Sequence, residues 1–312
     1  MKIILHLIFF FSIIILPGIL FAGENYYIVL AAQGDVSLQN IAGNTWVGIK
    51  EGNQINPGEK IKVGTNAYIG LVYSNGGSIE IKQEGIYDFN HIKNLTKNNL
   101  KSPNRKFAEY VLNQLTKSAK ESGEMKSMGA VVRQRANYIE TGIPSYSLVI
   151  DSNIVFNWYP NSASSSYIFK LVNNNNVTLF MNVLIDTAVD CPISLFHLNQ
   201  GENYKWMVSD YNDPKISSDT NYIMIPAAGK LEAIKDSINE LNSNFGSDTT
   251  AVTWIIYALF YQNNQLNLAA LNAYRKAVRL APDVNIYKKM FANFLLNVKL
   301  TWMIDYKGIG GE

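Results

Sequence analysis

Short apolar runs separated by turn residues fill residues 24–90. Residues 26–32 form one apolar run, and the later runs are four to six residues long, which is typical of β-strands. The predicted strands cover residues 26–32, 34–38, 60–63, 68–73 and 78–81. Glycine, asparagine and proline between them indicate turns. The series predicts a compact all-β domain over residues 24–90, built as a sheet, a sandwich or a barrel.

A second series of short runs lies between residues 145 and 228. The predicted strands cover residues 146–150, 154–158, 167–172, 179–184, 204–208 and 222–225, with a loop at 173–176. Several short strands at close spacing, joined by polar turns, favour a β-sandwich.

Helical spacing follows in residues 230–300. Apolar residues recur at helical intervals in 231–241, and residues 286–300 predict another helix. Between them, residues 251–284 have the aromatic, alanine and proline positions of a two-helix unit: Trp254, Ala258, Tyr261, Ala270, Tyr274, Ala277 and Pro282. The alanines let two antiparallel helices approach closely, and Pro282 ends the second helix. The predicted fold is therefore multidomain, with two β domains followed by α-helical hairpins.

The residue order of the first region is also specific. It runs Gly34, Asp35, Val36, Trp46, Gly52, Ile55, Gly58, Ile61, Thr65, Ala67 and Leu71, and ends in Asn-Gly-Gly-Ser-Ile-Glu-Ile at 75–81. This order resembles the FecR-type periplasmic domain over residues 24–90. The resemblance implies that the glycines form turns and that Trp46 fills the core.

The second region resembles a fibronectin type III or immunoglobulin-like sandwich. The resemblance rests on an early aromatic pair and a late motif: Phe156, Trp158, Gly201, Tyr204 and Trp206. In such sandwiches these rings fill the space between the sheets, so Trp158, Tyr204 and Trp206 are expected in the core.

The two-helix unit at 251–284 resembles one tetratricopeptide repeat. In that family the first helix lines a concave groove that receives partner peptides. Carried over by position, the residues facing the groove are Val252, Ile255, Leu259, Gln262 and Asn263. The alternative is that the helix predicted before the repeat covers Val252, Ile255 and Leu259, because a single repeat needs stacked neighbours.

The start of the chain predicts export. Residues 1–22 combine one early lysine, a long apolar run and a small-residue exit, as in a secretory signal peptide. An uncleaved membrane anchor is the alternative, since the run is long enough to span a bilayer. We expect a periplasmic or cell-surface protein, with a frayed glycine-rich tail at 301–312.

Composition and charge restrict the classes of partner that the chain is expected to bind. Hydrophobic residues make up 47% and charged residues 17% of the chain, which favours folded domains over disorder. The net charge of +2 does not indicate nucleic acid. Residues 91–142 predict a connector with a helix at 103–120, and residues 91–140 hold ten Lys or Arg against four Asp or Glu. This excess indicates contact with an anionic polymer or lipid surface, or else a solvated helix face.

Candidate chemistry is sparse. No hydrolase, metalloprotease or phosphate-binding motif occurs, so we expect no catalytic residue, no cofactor and no metal site. Cys191 is the single cysteine and is expected to be a small buried residue. The acidic stretch 210–219 lacks the glycine and terminal glutamate of a calcium loop, and the pair Asp186 and Asp190 is weak evidence for catalysis.

Together these features predict a non-enzymatic cell-envelope scaffold or adaptor that binds envelope proteins or peptides. One alternative is a periplasmic sensing component of a FecR-like system. FecR-type proteins relay a signal to a cytoplasmic sigma factor, but only Met1 and Lys2 precede the apolar run, so sensing through a separate membrane partner is the expected form. Another alternative is an envelope polysaccharide-binding module formed by a β domain and the basic connector. Tyr68 and Tyr73 are then candidates to stack on sugars, although their strand positions fit core residues equally well.

Overall fold

The computed structural model of the protein describes residues 25–41, 43, 45–74, 76–96, 138–159, 164–245 and 250–304. The predicted leader at 1–22, most of the basic connector with its predicted helix, and residues 305–312 of the predicted tail lie outside the described residues. Among the described residues, the chain is β-rich up to residue 224 and helical from residue 228.

Eight short strands and one helix form the first β region. They are β1 (Tyr27–Gln33), β2 (Val36–Gln39), β3 (Trp46–Gly48), β4 (Gln54–Ile55), β5 (Lys60–Val63), β6 (Tyr68–Tyr73), β7 (Ser78–Ile81), β8 (Gly85–Asp88) and α1 (Phe89–Thr96). The strands make two antiparallel sheets with the orders β4-β1-β6-β7, called the first sheet below, and β3-β2-β5-β8. A core that includes Val29, Ile61 and Leu71 lies between the two sheets.

Strands β1 and β6 are buried on both faces. Val29 and Ile69 belong to the core between the sheets, whereas Ile28 and Val72 point the other way, into a core shared with the C-terminal helices. A strand that is covered on both faces has no solvent side to keep polar. This is why residues 26–32 form a continuous apolar run instead of an alternating one.

Three features of this region differ from the expected picture. Strands β3, β4 and β8 were not predicted. Trp46 lies in the edge strand β3 and is half-buried, so it does not fill the core as expected. Helix α1 continues the domain past residue 90, because Ile92 is fully buried and the Thr96 hydroxyl lies 2.9 Å from the Tyr27 hydroxyl.

Seven strands form the second β region. They are β9 (Ser147–Leu148), β10 (Asn153–Asn157), β11 (Tyr167–Asn173), β12 (Thr178–Leu184), β13 (Ala188–Pro192), β14 (Asn203–Asp210) and β15 (Asn221–Met224). A five-stranded sheet with the order β12-β11-β14-β15-β9 faces the pair β10-β13 across one aromatic core. Trp158, Tyr204 and Trp206 are buried there, as predicted. Strand β13 was not predicted.

The C-terminal part consists of α2 (Ala228–Phe245), α3 (Ala251–Asn263), α4 (Asn267–Leu280), α5 (Asn285–Asn297) and a 3₁₀ turn (Thr301–Met303). Helices α3 and α4 form the hairpin predicted at 251–284, and Ala258 and Ala270 are fully buried. The N-terminus of α3 is capped by the Thr250 side chain, which accepts from the Thr253 N–H. Within the described ranges, no helix combines the length and the apolar character needed to cross a bilayer.

Candidate functional site

The residues expected to line a partner groove lie on α3, and the structure buries three of them. Val252 and Ile255 are 0% exposed and Leu259 is 3% exposed. Gln262 is half-buried and Asn263 is exposed. The five residues therefore do not form one open surface, and Val252, Ile255 and Leu259 belong to a core.

The chain's own first sheet covers this face of the helices. Ile28 and Leu30 of β1 and Val72 of β6 share one core with Val252 and Ile255 of α3. Helix α2 contributes as well, since the Tyr257 hydroxyl donates to the Asn242 side-chain oxygen at 2.8 Å. The preceding helix α2 therefore contributes to the core around α3, as the alternative predicted, but the first sheet contributes more residues to that core.

Gly70 in β6 allows the sheet to approach α3 closely. A Cβ atom at this position would lie 2.6 Å from Cγ2 of Val252 and 2.8 Å from the hydroxyl oxygen of Tyr287. These separations are far below van der Waals contact. The absence of a side chain at Gly70 is therefore a condition for the observed packing.

Glu80 of β7 caps the N-terminus of α3. Its carboxylate accepts from the backbone N–H of Val252 at 3.0 Å and pairs with the Lys82 ammonium at 3.0 Å. Its side chain is only 10% exposed. The first N–H groups of a helix lack partners within the helix, and the helix dipole favours negative charge at this end. Glu80 of the sheet therefore supplies a hydrogen-bond acceptor and a negative charge at the start of α3.

Gln33 of β1 caps the N-terminus of α5. Helix α5 has no side-chain cap from its own N-cap residue, Val284. The Gln33 side-chain oxygen instead accepts from the Asn285 N–H at 2.9 Å, and its amide nitrogen donates to the Asp283 carbonyl oxygen. The first sheet therefore caps the N-termini of two helices, α3 and α5.

Two buried hydroxyl pairs connect the same surfaces. The hydroxyl oxygens of Tyr68 and Tyr287 are 3.0 Å apart, and those of Ser78 and Thr253 are 2.7 Å apart. Burial raises the pKa of Tyr68 and of Tyr287 above the ordinary tyrosine value. Both tyrosines therefore stay neutral over the physiological pH range.

The second β region packs against the other side of the helices. The Leu148 N–H donates to the Gln265 carbonyl oxygen at 2.8 Å, and the Asn267 side chain donates to the Tyr146 carbonyl oxygen at 3.2 Å. The ring centroids of Tyr159 and Trp302 are 4.3 Å apart. The helices thus contact both β regions.

A cavity of about 350 Å³ lies at this second junction. Most of its lining is apolar, and it includes Leu148, Ile150, Tyr261, Leu266 and Ala269. Asp151, Asn153 and Asn272 supply polar groups. An apolar cavity with a few polar groups is the usual form of a small binding site.

Cys191, the single cysteine of the chain, has a structural position. It is fully buried, as predicted, and burial together with the nearby Asp190 raises the pKa of its thiol to about 12. The Asp210 carboxylate accepts from the N–H groups of Asp213 at 2.7 Å and Asn212 at 2.8 Å. These bonds lower the pKa of Asp210, and the bond from the Asp213 N–H has the largest effect. The stretch 210–219 is therefore ordered by its own backbone.

The described part of the chain contains no cluster of three or more His, Cys, Asp or Glu side chains that could hold a metal ion. Tyr68 and Tyr73 are 6% and 2% exposed, so neither ring is available to stack on a sugar. Of the two alternatives for these tyrosines, sugar stacking or burial in a core, the structure favours burial.

Sequence reasoning missed the residues that fill the groove. Gly70 interrupts an apolar strand, and an isolated glycine inside a strand often marks a close backbone approach, so this signal was available. Glu80 and Gln33 gave no local signal, since they cap helices that lie 172 and 252 positions along the chain.

A search of family models and a search of curated proteins each returned no match to this sequence.

Proposed function

We propose that the protein is a non-enzymatic, exported cell-envelope adaptor in which the helical part joins two β modules into one body. The observation that carries this proposal is the filled groove: the face of α3 that receives peptides in tetratricopeptide repeats packs against the chain's own first sheet. A helical part used in this way acts as an internal connector between binding modules.

The finer identity of the modules belongs to the same proposal. A FecR-like first domain fits the two four-stranded sheets. A fibronectin- or immunoglobulin-like second domain fits the five-stranded and two-stranded sheets with Trp158 and Trp206 between them. A tetratricopeptide-like unit fits the α3–α4 hairpin and its buried alanines. Export rests on the leader-like residues 1–22.

The junction cavity is the surface that best suits a partner. It adjoins Tyr261, which directly precedes the groove residues Gln262 and Asn263. Its apolar lining suits an aliphatic or aromatic side chain of an envelope protein or peptide, and its amide and carboxyl groups suit a peptide backbone.

Capture of partners from the native envelope tests this proposal. We expect Ala269→Phe, which places a ring in the cavity, to reduce the amount of captured partner at least several-fold while the circular dichroism spectrum stays unchanged. Ala188→Phe, at an exposed position of β13, is the matched control and should capture as much as the wild type. Equal capture by both variants, or turnover of a small molecule by the pure protein, would overturn the proposal.

The sensing alternative predicts a different result. A deletion strain would then change the transcripts of one regulon only, whereas an adaptor would alter the recovery of its envelope partners. The anionic-surface alternative depends on the connector, most of which lies outside the described residues.

A further inference from the structure

Strand β12 is an edge of the five-stranded sheet, and no described strand pairs with its outer side. It has seven residues, Thr178–Leu184, with the sequence TLFMNVL. It contains no charge and no proline, and residues 171–185 contain no ionisable side chain. Edge strands are usually protected from pairing by charges, prolines or bulges. The one such feature here is a bulge near the start of the strand, between Thr178 and Phe180.

The exposed side chains of this edge are aliphatic. Met181 is 62% exposed, Val183 is 48% exposed, and Ile185, just after the strand, is 81% exposed. Val177, just before the strand, is 55% exposed. Leu179, Phe180 and Leu184 pack against the aromatic core instead, whereas Thr178 and Asn182 are exposed polar residues. The edge therefore combines a pairing-competent backbone with a row of apolar groups on one face.

We propose that β12 pairs with β12 of a second copy of the chain in an antiparallel manner, which joins two five-stranded sheets into one. A two-fold axis at Met181 places Met181 opposite itself and Val177 opposite Ile185, while Val183 lies opposite the bulge at Leu179, whose side chain packs against the aromatic core. The exposed side chains that meet across the axis are all aliphatic, so the contact is self-complementary, as a two-fold interface requires.

The charges near the edge are compatible with self-pairing. Lys170 lies opposite Met181 on the neighbouring strand β11, one strand away from the edge. In the pair, the two Lys170 positions would be three strand spacings apart, roughly 14 Å. This separation exceeds the screening length of about 8 Å at physiological salt, so the lysines would repel only weakly. Since residues 171–185 carry no ionisable side chain, a second copy meets no charge repulsion within the strand itself.

One backbone group already has a partner within the edge. The Val183 N–H donates to the Asn182 side-chain oxygen at 2.9 Å. This N–H is therefore not used in the ladder to β11 and points to the open side. Self-pairing would exchange this local bond for a ladder bond to the second copy.

Sedimentation velocity of the purified protein across the micromolar range tests the proposal. We expect a concentration-dependent dimer, and we expect Met181→Lys to weaken it at least about tenfold, because like charges would then face each other across the axis. Val47→Lys, at the 58% exposed Val47 of β3, is the matched control and should leave the dimer intact.

A cysteine at the axis gives an independent readout. Met181→Cys should form a disulfide-linked dimer under mild oxidation, and Val47→Cys, at a 58% exposed position on β3 of the first β region, should not. The native Cys191 is buried and should not interfere. A wild-type protein that stays monomeric at every concentration, or a dimer that Met181→Lys leaves unchanged, would overturn the proposal.

Discussion

Gly70 is the residue at which the first sheet and α3 come closest. A methyl group there would lie within 3 Å of Val252 and Tyr287, so Gly70→Ala forces one of the two surfaces to move. We expect a loss of about 1–3 kcal/mol in the free energy of unfolding, which is typical of overpacking. Urea denaturation measures this loss. Gly48→Ala, where an added Cβ meets nothing within 4 Å, is the matched control; an equal effect of both changes would contradict the assignment.

Glu80 is the second residue whose role extends across the interface. Its removal in Glu80→Ala leaves the start of α3 without its anionic cap and leaves the Val252 N–H without an acceptor. We expect a cost of about 1–2 kcal/mol, the usual value for a helix cap. Chemical denaturation of Glu84→Ala, an exposed glutamate of the same domain, supplies the comparison and should show a clearly smaller change. No loss in Glu80→Ala would refute the capping role.

Cys191 reports on burial of the second β region. Its thiol pKa of about 12 lies above the unfolded value of about 8.5, so the native thiol stays protonated at pH 8. We expect the folded protein to react with a thiol reagent far more slowly than the unfolded chain. A cysteine placed at the exposed position 188 should react rapidly in the folded state. Equal rates for native and unfolded Cys191 would show that the core between these sheets is open.

Individual residues differ in how well the sequence predicts them. The buried positions of Trp158, Trp206 and Cys191 follow from local patterns, and the structure confirms them. Trp46 does not follow the pattern, since β3 is a short edge strand that leaves the ring half-buried. Tyr68 fails as a sugar platform because the helices cover its face of the strand, and a distant element leaves no mark on neighbouring residues.

At the scale of elements, β6 and α5 are coupled through Tyr68 and Tyr287. A double-mutant cycle of Tyr68→Phe and Tyr287→Phe should give a coupling energy of about 0.5–1.5 kcal/mol, the size of one net hydrogen bond. Denaturation of the two single variants and the double variant provides it. Additive effects within error would mean that the hydroxyl pair contributes nothing.

The same pair predicts how stability changes in alkali. Both tyrosine pKa values are raised in the folded state, so the folded protein keeps protons that the unfolded chain loses above about pH 10. Stability should therefore fall as pH rises through that value. The double Phe variant should lose less stability than the wild type over the same interval, and identical pH profiles would contradict the burial of these hydroxyls.

The elements themselves were largely predictable. Strands β5, β6 and β7 match the predicted ranges at both ends, because glycine and asparagine mark their turns. Strands β3, β4, β8 and β13 were missed. The first three have only two to four residues, and β13 ends at Pro192 and includes the exposed Asp190. The apolar run in β1 signalled burial on both faces, but it could not indicate that the second cover would be a helix layer far along the chain.

At the scale of the whole molecule, the helices contact both β regions. One core contains residues of the first sheet and of helices α2 to α5, and a smaller cluster links Leu148 with Ile234 and Leu266. Both β regions bury apolar surface against the same helices, and the first β region shares the larger core with them. We therefore expect the first β region and the helices to unfold together. The sequence predicted separate modules because the contacts between them join positions more than 100 residues apart.

A disulfide between β7 and α3 tests the filled groove most directly. The Ser78 and Thr253 hydroxyl oxygens are 2.7 Å apart, so cysteines at both positions should form a bond under mild oxidation. Peptide mapping would identify the linked fragments. The control pair Ser78→Cys and Asn263→Cys joins the same strand to the opposite end of α3, roughly 15 Å further along the helix. We predict a quantitative crosslink in the first pair and none in the control. An absent crosslink at positions 78 and 253, with the protein folded, would contradict the filled groove.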